Sequence, residues 1–452
     1  VAKKPESIFV CSDCSAQSPR WLGRCPECGA WSSLVETSAG RQEKRKAEAA
    51  SRAPIPLDSI ETAERPRQMT GIGELDRVLG GGLVPGAVIL IGGEPGIGKS
   101  TLLLQAASRL ATASHPVLYV SAEESGHQVK MRSDRLGLDA RHILLLPETD
   151  LESILAACQG RALSAVIVDS IQTIATTGLP SGAGSVSQVR ECATQLASMA
   201  KNSGLGVFLI GHVTKDGSLA GPKTLEHLVD AVISFEGERF HSQRVVRALK
   251  NRFGPIHELG VFEMTGSGLV EVKNPSILYL ASRMGGRPGS AVLATVEGTR
   301  PLLIEVQALT VATKFGMPRR TSTGFDPTRL ALLLAVLERH GNMVLSAHDV
   351  FVNLAGGAES SEPAADLAVL AAVATSFLGR GLPENGVLFG EVGLLGEIRP
   401  VPDAGPRLKE AAGLGFKKVF LPAGNAAEAA AFPDLEVQPL RNVDEFLRKT
   451  AG

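Results

Sequence analysis

Long apolar runs, cysteine and net charge are all scarce in this 452-residue chain, and each shortage excludes something. No uninterrupted apolar stretch approaches the roughly 18 to 20 residues that a membrane-crossing helix requires, and the opening VAKKPESIFV has no apolar core of the kind that a secretion signal carries. The expectation is a cytoplasmic protein with no membrane partner. Six cysteines are too few for a disulfide framework in so long a chain. The formal net charge of -1 provides no global cationic field, so any binding to nucleic acid has to come from local patches or from charge arranged by assembly. Apolar residues, at 44% of the total, are ample for several packed cores.

Four of the six cysteines cluster as Cys11-x-x-Cys14 and Cys25-x-x-Cys28. Each pair brackets a tight turn and presents two thiolates to one ion, so two such knuckles complete a tetrahedral S₄ site of the kind that holds structural Zn²⁺. With no histidine or carboxylate in the set, and no open position, a catalytic metal is not expected. Trp21 and Trp31 are expected to supply the module's few apolar contacts, and the metal most of its folding free energy. This module occupies residues 1–36. Residues 37–66 contain RQEKRKAEAASR followed by Pro54, Pro56 and Pro66, a composition that reads as a flexible linker. Cys158 and Cys192 fall in helical patterns and read as core thiols.

From residue 67 the chain alternates apolar runs with helical patterns, which predicts a parallel sheet covered on both faces with its ligand site at the carboxyl ends of the strands. The run Ala87 to Ile91 leads into Gly93-Glu94-Pro95-Gly96-Ile97-Gly98-Lys99-Ser100-Thr101, and Leu102, Leu103, Leu104, Ala107 and Leu110 then repeat at helical spacing. A strand, a glycine-rich G-x-x-x-x-G-K-[ST] loop and a helix in that order make a P-loop. Gly93, Gly96 and Gly98 are expected to let backbone N–H groups turn around a phosphate, Lys99 to reach the β- and γ-phosphates of ATP, and the Ser100 hydroxyl to ligate Mg²⁺. Val166-Ile167-Val168-Asp169 is a Walker B strand that would carry Asp169 to the same Mg²⁺. Tyr119-Val120-Ser121-Ala122 ends in Glu123 and Glu124, either of which has the chemistry to polarise an attacking water. Spacing does not choose between them.

The stretches LGGGLVPG, GEPGIGKST, YVSAEES, VIVDSIQT and Lys250-Asn251-Arg252-Phe253-Gly254, in that order behind a four-cysteine knuckle, resemble the bacterial RadA (Sms) family of recombination proteins along essentially the whole chain. The resemblance implies a RecA-type P-loop core over residues 67–273 with DNA-stimulated ATP hydrolysis, a hexameric ring, and branch migration during homologous recombination. It further implies single-stranded and branched DNA and a RecA-type recombinase as partners. It favours Glu123 over Glu124 as the catalytic glutamate and makes His212 a sensor at a strand end. Thr176 to Gln188 and Asp216 to Lys223 become DNA-facing loops, with Lys215 and Lys223 as phosphate contacts, while Lys250 and Arg252 act on the γ-phosphate of a neighbouring subunit. Residues 274–452 look like the α/β proteolytic domain of Lon, with a departure. Glu362-Pro363-Ala364-Ala365-Asp366 carries alanine where the nucleophilic serine of that family belongs, and Gly405 stands where its lysine belongs. Without an activated hydroxyl there is no acyl-enzyme chemistry, so a scaffold is expected rather than an ATP-dependent protease. A signalling ATPase with a doubled-glutamate RecA core is the other rival, and the knuckle and KNRFG speak against it. Lys314, Arg319, Arg320 and Arg329 form a basic run read as either a duplex contact or a solvated surface.

Overall fold

The computed structural model describes residues 7–11, 14, 16–31, 33–38, 56, 66–212, 224–237, 242–313 and 316–450. The chain divides into two compact units, Val1–Glu271 and Val272–Gly452. No helix among the described residues is long and apolar enough to cross a membrane.

The first unit opens with three short strands, β1 (Ser7–Cys11), β2 (Gln17–Ser18) and β3 (Leu34–Ser38), with β1 pairing antiparallel to both others. Beyond the undescribed linker residues come α1 (Gly73–Val78), β4 (Val88–Gly93), α2 (Lys99–Leu110), β5 (Val117–Ser121), α3 (Gly126–Arg135), β6 (Ile143–Leu146), α4 (Leu151–Cys158), β7 (Ala165–Asp169), α5 (Val186–Ser203), β8 (Gly206–His212), α6 (Thr224–Leu228) and β9 (Ala231–Glu236). Three hairpin-linked strands follow, β10 (Gln243–Asn251), β11 (Leu259–Thr265) and β12 (Gly268–Glu271). Together they form a nine-stranded sheet in the order β12-β11-β10-β9-β4-β8-β7-β5-β6.

From β9 to β6 every pairing is parallel, as the apolar runs predict. Strands buried on both faces need no polar alternation, and the pleat divides their side chains between two cores. Ile89, Ile91, Tyr119 and Ile167 pack with Leu103 and Ala107 on one face, while Val88, Leu90, Val120 and Val168 pack with Ile154, Val189 and Leu196 on the other. Cys158 and Cys192 are buried in the second core as thiols. The extension β10 to β12 is antiparallel. Its connections are too short for the crossover that a parallel strand requires, so each strand doubles back on the last.

The second unit is also mixed α/β. It comprises α7 (Pro275–Leu280), β13 (Ser290–Glu297), β14 (Arg300–Ala312), β15 (Arg320–Thr323), α8 (Pro327–Gly341), β16 (His348–Leu354), α9 (Asp366–Leu378), β17 (Gly386–Leu388), β18 (Glu391–Val392), β19 (Ile398–Arg399), α10 (Ala404–Gly413), β20 (Lys418–Pro422), β21 (Glu436–Leu440) and α11 (Val443–Thr450). Seven of its strands form one sheet, β15-β16-β14-β13-β17-β20-β21. Helix α9 is buried from Asp366 to Thr375, which is why its sequence is apolar all round rather than striped.

Candidate active site and metal centre

Strand β4 ends at Gly93 and α2 begins at Lys99, so Glu94 to Gly98 form the intervening loop. Gly96 and Gly98 take φ values of 78° and 121°, the left-handed region that a Cβ disfavours. Gly93 differs from the expectation. A Cβ there would press to 2.7 Å from the Phe235 carbonyl oxygen on β9, so this glycine serves strand packing and only the other two shape the loop. Ile97 is buried and pins the loop from below, while Glu94, Pro95 and Gly96 are exposed. Ser100 and Thr101, in the first turn of α2, are half-buried. That helix has no side-chain cap at its amino end, which leaves its first N–H groups open to an anion.

The Lys99 side chain lies under the loop, where its Nζ donates to the carbonyls of Gly93 (2.8 Å) and Glu94 (2.9 Å). Burial draws this ammonium below its ordinary pKa, and the carboxylates of Asp169 and Glu123 pull the other way. Those two acids reach Lys99 because β5 and β7 are neighbours and end at one level, Ser121 opposite Asp169. Asp169 is buried, and one of its oxygens accepts from the Tyr119 hydroxyl at 2.7 Å. Desolvation, reinforced by the Asp169 charge, pushes the Tyr119 phenol well above its ordinary value, so it remains a donor. The second Asp169 oxygen and the Ser100 hydroxyl are hard oxygen ligands, the kind that Mg²⁺ takes.

The doubled acid resolves geometrically. Glu124 pairs with Arg132 of α3, and its carbonyl accepts from the Ser121 hydroxyl at 2.6 Å. Glu123 is exposed and accepts from the Ser170 hydroxyl. Its charge is the one that acts on Lys99. Tyr119 and Ser170 therefore hold the two carboxylates reciprocally across β5 and β7, a relation that depends on strand adjacency and leaves no mark in the linear chain. Arg244 was missed for the same reason. It belongs to no motif, enters from β10 and donates from Nε to the Ile97 carbonyl at 3.2 Å.

In the amino-terminal module the Sγ atoms of Cys11, Cys14, Cys25 and Cys28 all lie within 4.8 Å of one another, with Cys11 to Cys28 at 3.6 Å and Cys14 to Cys25 at 3.5 Å. Tetrahedral Zn–S bonds of about 2.3 Å give sulfur–sulfur edges of about 3.8 Å, so the four thiols fit that ion. Burial pushes the Cys14 thiol up to about 12, so a cation has to supply the charge that holds four thiolates together. The module's core is Cys11, Cys25 and Leu34 with Phe9, Ala16 and Leu22 against them. The expected role of the tryptophans is overturned, because Trp21 and Trp31 are 56% and 75% exposed. Cys11, Cys25 and Leu34 fill so small a core, which leaves no interior for two indoles.

Residues 61–218 match a family described as an AAA domain, and residues 9–36 match one described as a rubredoxin metal binding domain. The DNA repair protein RadA of Bacillus subtilis is 48% identical over 99% of this chain and 99% of its own, and that of Pseudomonas aeruginosa is 50% identical over 94% and 95%. The chain belongs to the RadA family of DNA repair proteins. Among solved structures, the RadB recombinase covers 46% of this chain and 100% of its own at 22% identity with a TM-score of 0.36.

The RadA signature KNRFG straddles the end of β10. Register places Lys250 opposite Val232 on β9, which is level with Leu90 of β4, whereas the P-loop leaves β4 beyond Gly93. The pentapeptide therefore lies toward the amino end of β4, away from the loop in the same chain. Lys250 donates to the Val229 carbonyl at 2.8 Å, and Arg252 pairs with Asp230 at 3.4 Å. Desolvation lowers the Lys250 pKa, and the neighbouring Arg252 lowers it further.

Of the two loops that RadA resemblance assigns to DNA, Thr176 to Gln188 is ordered by a buried side chain. Gln188 accepts from the Thr176 N–H at 2.9 Å and donates to the carbonyls of Thr176 (3.0 Å) and Ser181 (2.8 Å). Residues 216–223, with Lys215, lie outside the described residues, as does the His212 side chain, although the His212 backbone pairs beside Gly93.

In the second unit Ala364 and Ala365 are fully buried, and Gly405 donates its N–H to Glu428 at 3.2 Å. The basic run is only partly a surface. Half-buried Arg329 pairs with buried Asp366 and also donates to the Val392 carbonyl at 3.0 Å, so its charge is met by a carboxylate of its own fold. Arg319 pairs with Asp349 at 3.5 Å, and Lys314 lies outside the described residues.

Proposed function

We propose that this RadA-family chain is a DNA-stimulated, Mg²⁺-dependent ATPase that acts as a hexameric ring and drives branch migration of recombination intermediates. One observation carries the reading: Lys99, Asp169 and Glu123 converge from separate elements at the carboxyl ends of parallel strands, beside an uncapped helix N-terminus. Lys99 exchanges its two backbone carbonyls for the β- and γ-phosphates, so the ammonium is already desolvated when substrate arrives. Gly96 and Gly98 keep the loop open for the phosphate chain, and the N–H groups of Ser100 and Thr101 lie in the first turn of α2 to receive it. Ser100 and Asp169 would hold Mg²⁺, which when bound spreads the charge developing on the phosphate oxygens. Glu123, steadied by Ser170, accepts the proton of the attacking water.

Lys250 and Arg252 complete the site of a neighbouring copy, a role supported by their register away from their own P-loop. Hydrolysis then depends on assembly, and the loops at 176–188 and 216–223 change their grip on a single strand or a branch point as nucleotide state changes. The second unit serves as a proteolytically inactive, Lon-like scaffold for the ring, since alanine and glycine supply neither nucleophile nor base. The test is ATP turnover with and without single-stranded DNA, alongside solution mass. Stimulation by DNA together with a hexamer mass is expected. A chain that stays single with nucleotide and DNA, and hydrolyses equally well that way, overturns the proposal.

A further inference from the structure

We propose that Arg244 is a positioning residue for the phosphate loop: from β10 it fixes the Ile97–Gly98 peptide so that the Gly98 N–H faces the phosphate chain of a bound nucleotide. The inference rests on the ATPase reading above and names a side chain that sets its loop. Ile97 lies ahead of Gly98, the N-cap of α2, so its carbonyl stands outside the helix ladder, which begins with the Leu102 N–H on the Gly98 carbonyl at 2.9 Å. Gly98 takes a φ of 121°, and a glycine at this point leaves the peptide before it free to turn over. Something outside the loop has to choose its orientation. The Arg244 Nε does so by donating to the Ile97 carbonyl at 3.2 Å.

In a planar trans peptide the carbonyl and the N–H point in opposite directions. A carbonyl drawn toward β10 therefore turns the Gly98 N–H away from that strand and toward the interior of the loop, beside the first turn of α2 where phosphate is received. The charge adds to the geometry, because a guanidinium on the carbonyl polarises the peptide and makes its N–H a better donor to an anion. The surroundings hold this arrangement in place. Gly237, just past β9, leaves room for the side chain, since a Cβ there would lie 2.7 Å from Arg244 Cδ. Arg244 Nη1 donates to the Gln243 carbonyl at 2.7 Å, which steadies the guanidinium against its own strand. The extension is in turn tied to the P-loop helix: Gln105 of α2 donates from Nε2 to the Leu269 carbonyl of β12 at 3.1 Å and accepts from the Leu269 N–H at 3.0 Å. Donor and loop thus belong to one braced frame.

Side chains of matched reach separate this role from others. The amide nitrogen of glutamine stands as many bonds from the backbone as the arginine Nε, so Arg244→Gln keeps a donor for Ile97 and loses the charge, whereas Arg244→Met has similar reach and no donor. The probe is ADP with Mg²⁺, titrated against the full-length chain well below the melting temperature of each variant. Arg244→Met is expected to raise the Kd for ADP roughly tenfold and Arg244→Gln about threefold. In ATP turnover the loss is expected to fall on KM more than on kcat. Arg244→Ala takes the place of Arg244→Met if the latter does not fold. Wild-type ADP affinity in the donor-less variant overturns the assignment and leaves the ATPase reading standing. So does an equal loss in the two variants, which would reduce Arg244 to a charge near the phosphates, or a fall in kcat with KM unchanged. A wild-type chain that binds no ADP overturns the ATPase reading and the assignment together.

Discussion

Two regions of this chain bury charged side chains, and they do so in opposite ways. In the second unit, Arg407 has a fully buried side chain that pairs with both Glu362 oxygens and donates to the Ala294 carbonyl at 2.7 Å. Glu362 also accepts from the Thr295 hydroxyl (2.7 Å) and the Val296 N–H (3.1 Å). Asp366 is closed in the same manner by Arg329 and by the Val392 N–H at 3.0 Å. At the P-loop, by contrast, Lys99 is held by backbone carbonyls that a phosphate can replace, and the nearby acids are held by neutral hydroxyls. A charge met by a fixed opposite charge is structural, because nothing is left for a ligand to satisfy. A backbone carbonyl on an ammonium can be exchanged for a phosphate oxygen in a way that a fixed guanidinium–carboxylate pair cannot. The difference is informative because the fifth residue of Glu362-Pro363-Ala364-Ala365-Asp366 and the acid at the end of β7 look alike in one dimension.

The contrast breaks most sharply at the doubled acid. Glu123→Gln is expected to lower ATP turnover by roughly 10² to 10⁴ with nucleotide binding retained, whereas Glu124→Gln leaves turnover far less affected because that carboxylate is committed to Arg132. Equal losses in the two variants, measured at saturating ATP, would erase the distinction. Next in size, Arg407→Ala strands a buried carboxylate and is expected to cost the second unit about 3 to 5 kcal/mol, seen as faster hydrogen exchange in β13 and β17. Nucleotide affinity should not move, and if it does the pair is not purely structural. The smallest effect sharpens the comparison. Tyr119→Phe removes the neutral donor from Asp169 and is expected to raise the Mg²⁺ concentration for half-maximal turnover roughly tenfold, with metal-free nucleotide binding unchanged. An unaltered Mg²⁺ dependence would show that the phenol does not orient the carboxylate.

The P-loop, the Asp169 strand and the four cysteines were readable because each is a contiguous pattern whose meaning is set by neighbours in the chain. The parallel part of the sheet was readable for the same reason, since fully apolar strands between helices have few other solutions. The tryptophans were misread because burial is a property of available interior volume, and the small module has none to spare. Arg329 was misread because the pattern Lys314, Arg319, Arg320 and Arg329 does not show that Asp366 waits inside the fold.

The chain alone determined the phosphate loop and the thiol set, because covalent spacing brings those groups together whatever the rest of the molecule does. Tertiary structure decided which glutamate lies near Lys99, which glycine is a packing residue, and that Tyr119, Ser170 and Arg244 reach the same place. Those assignments depend on strand register, which sets side by side residues that lie far apart along the backbone.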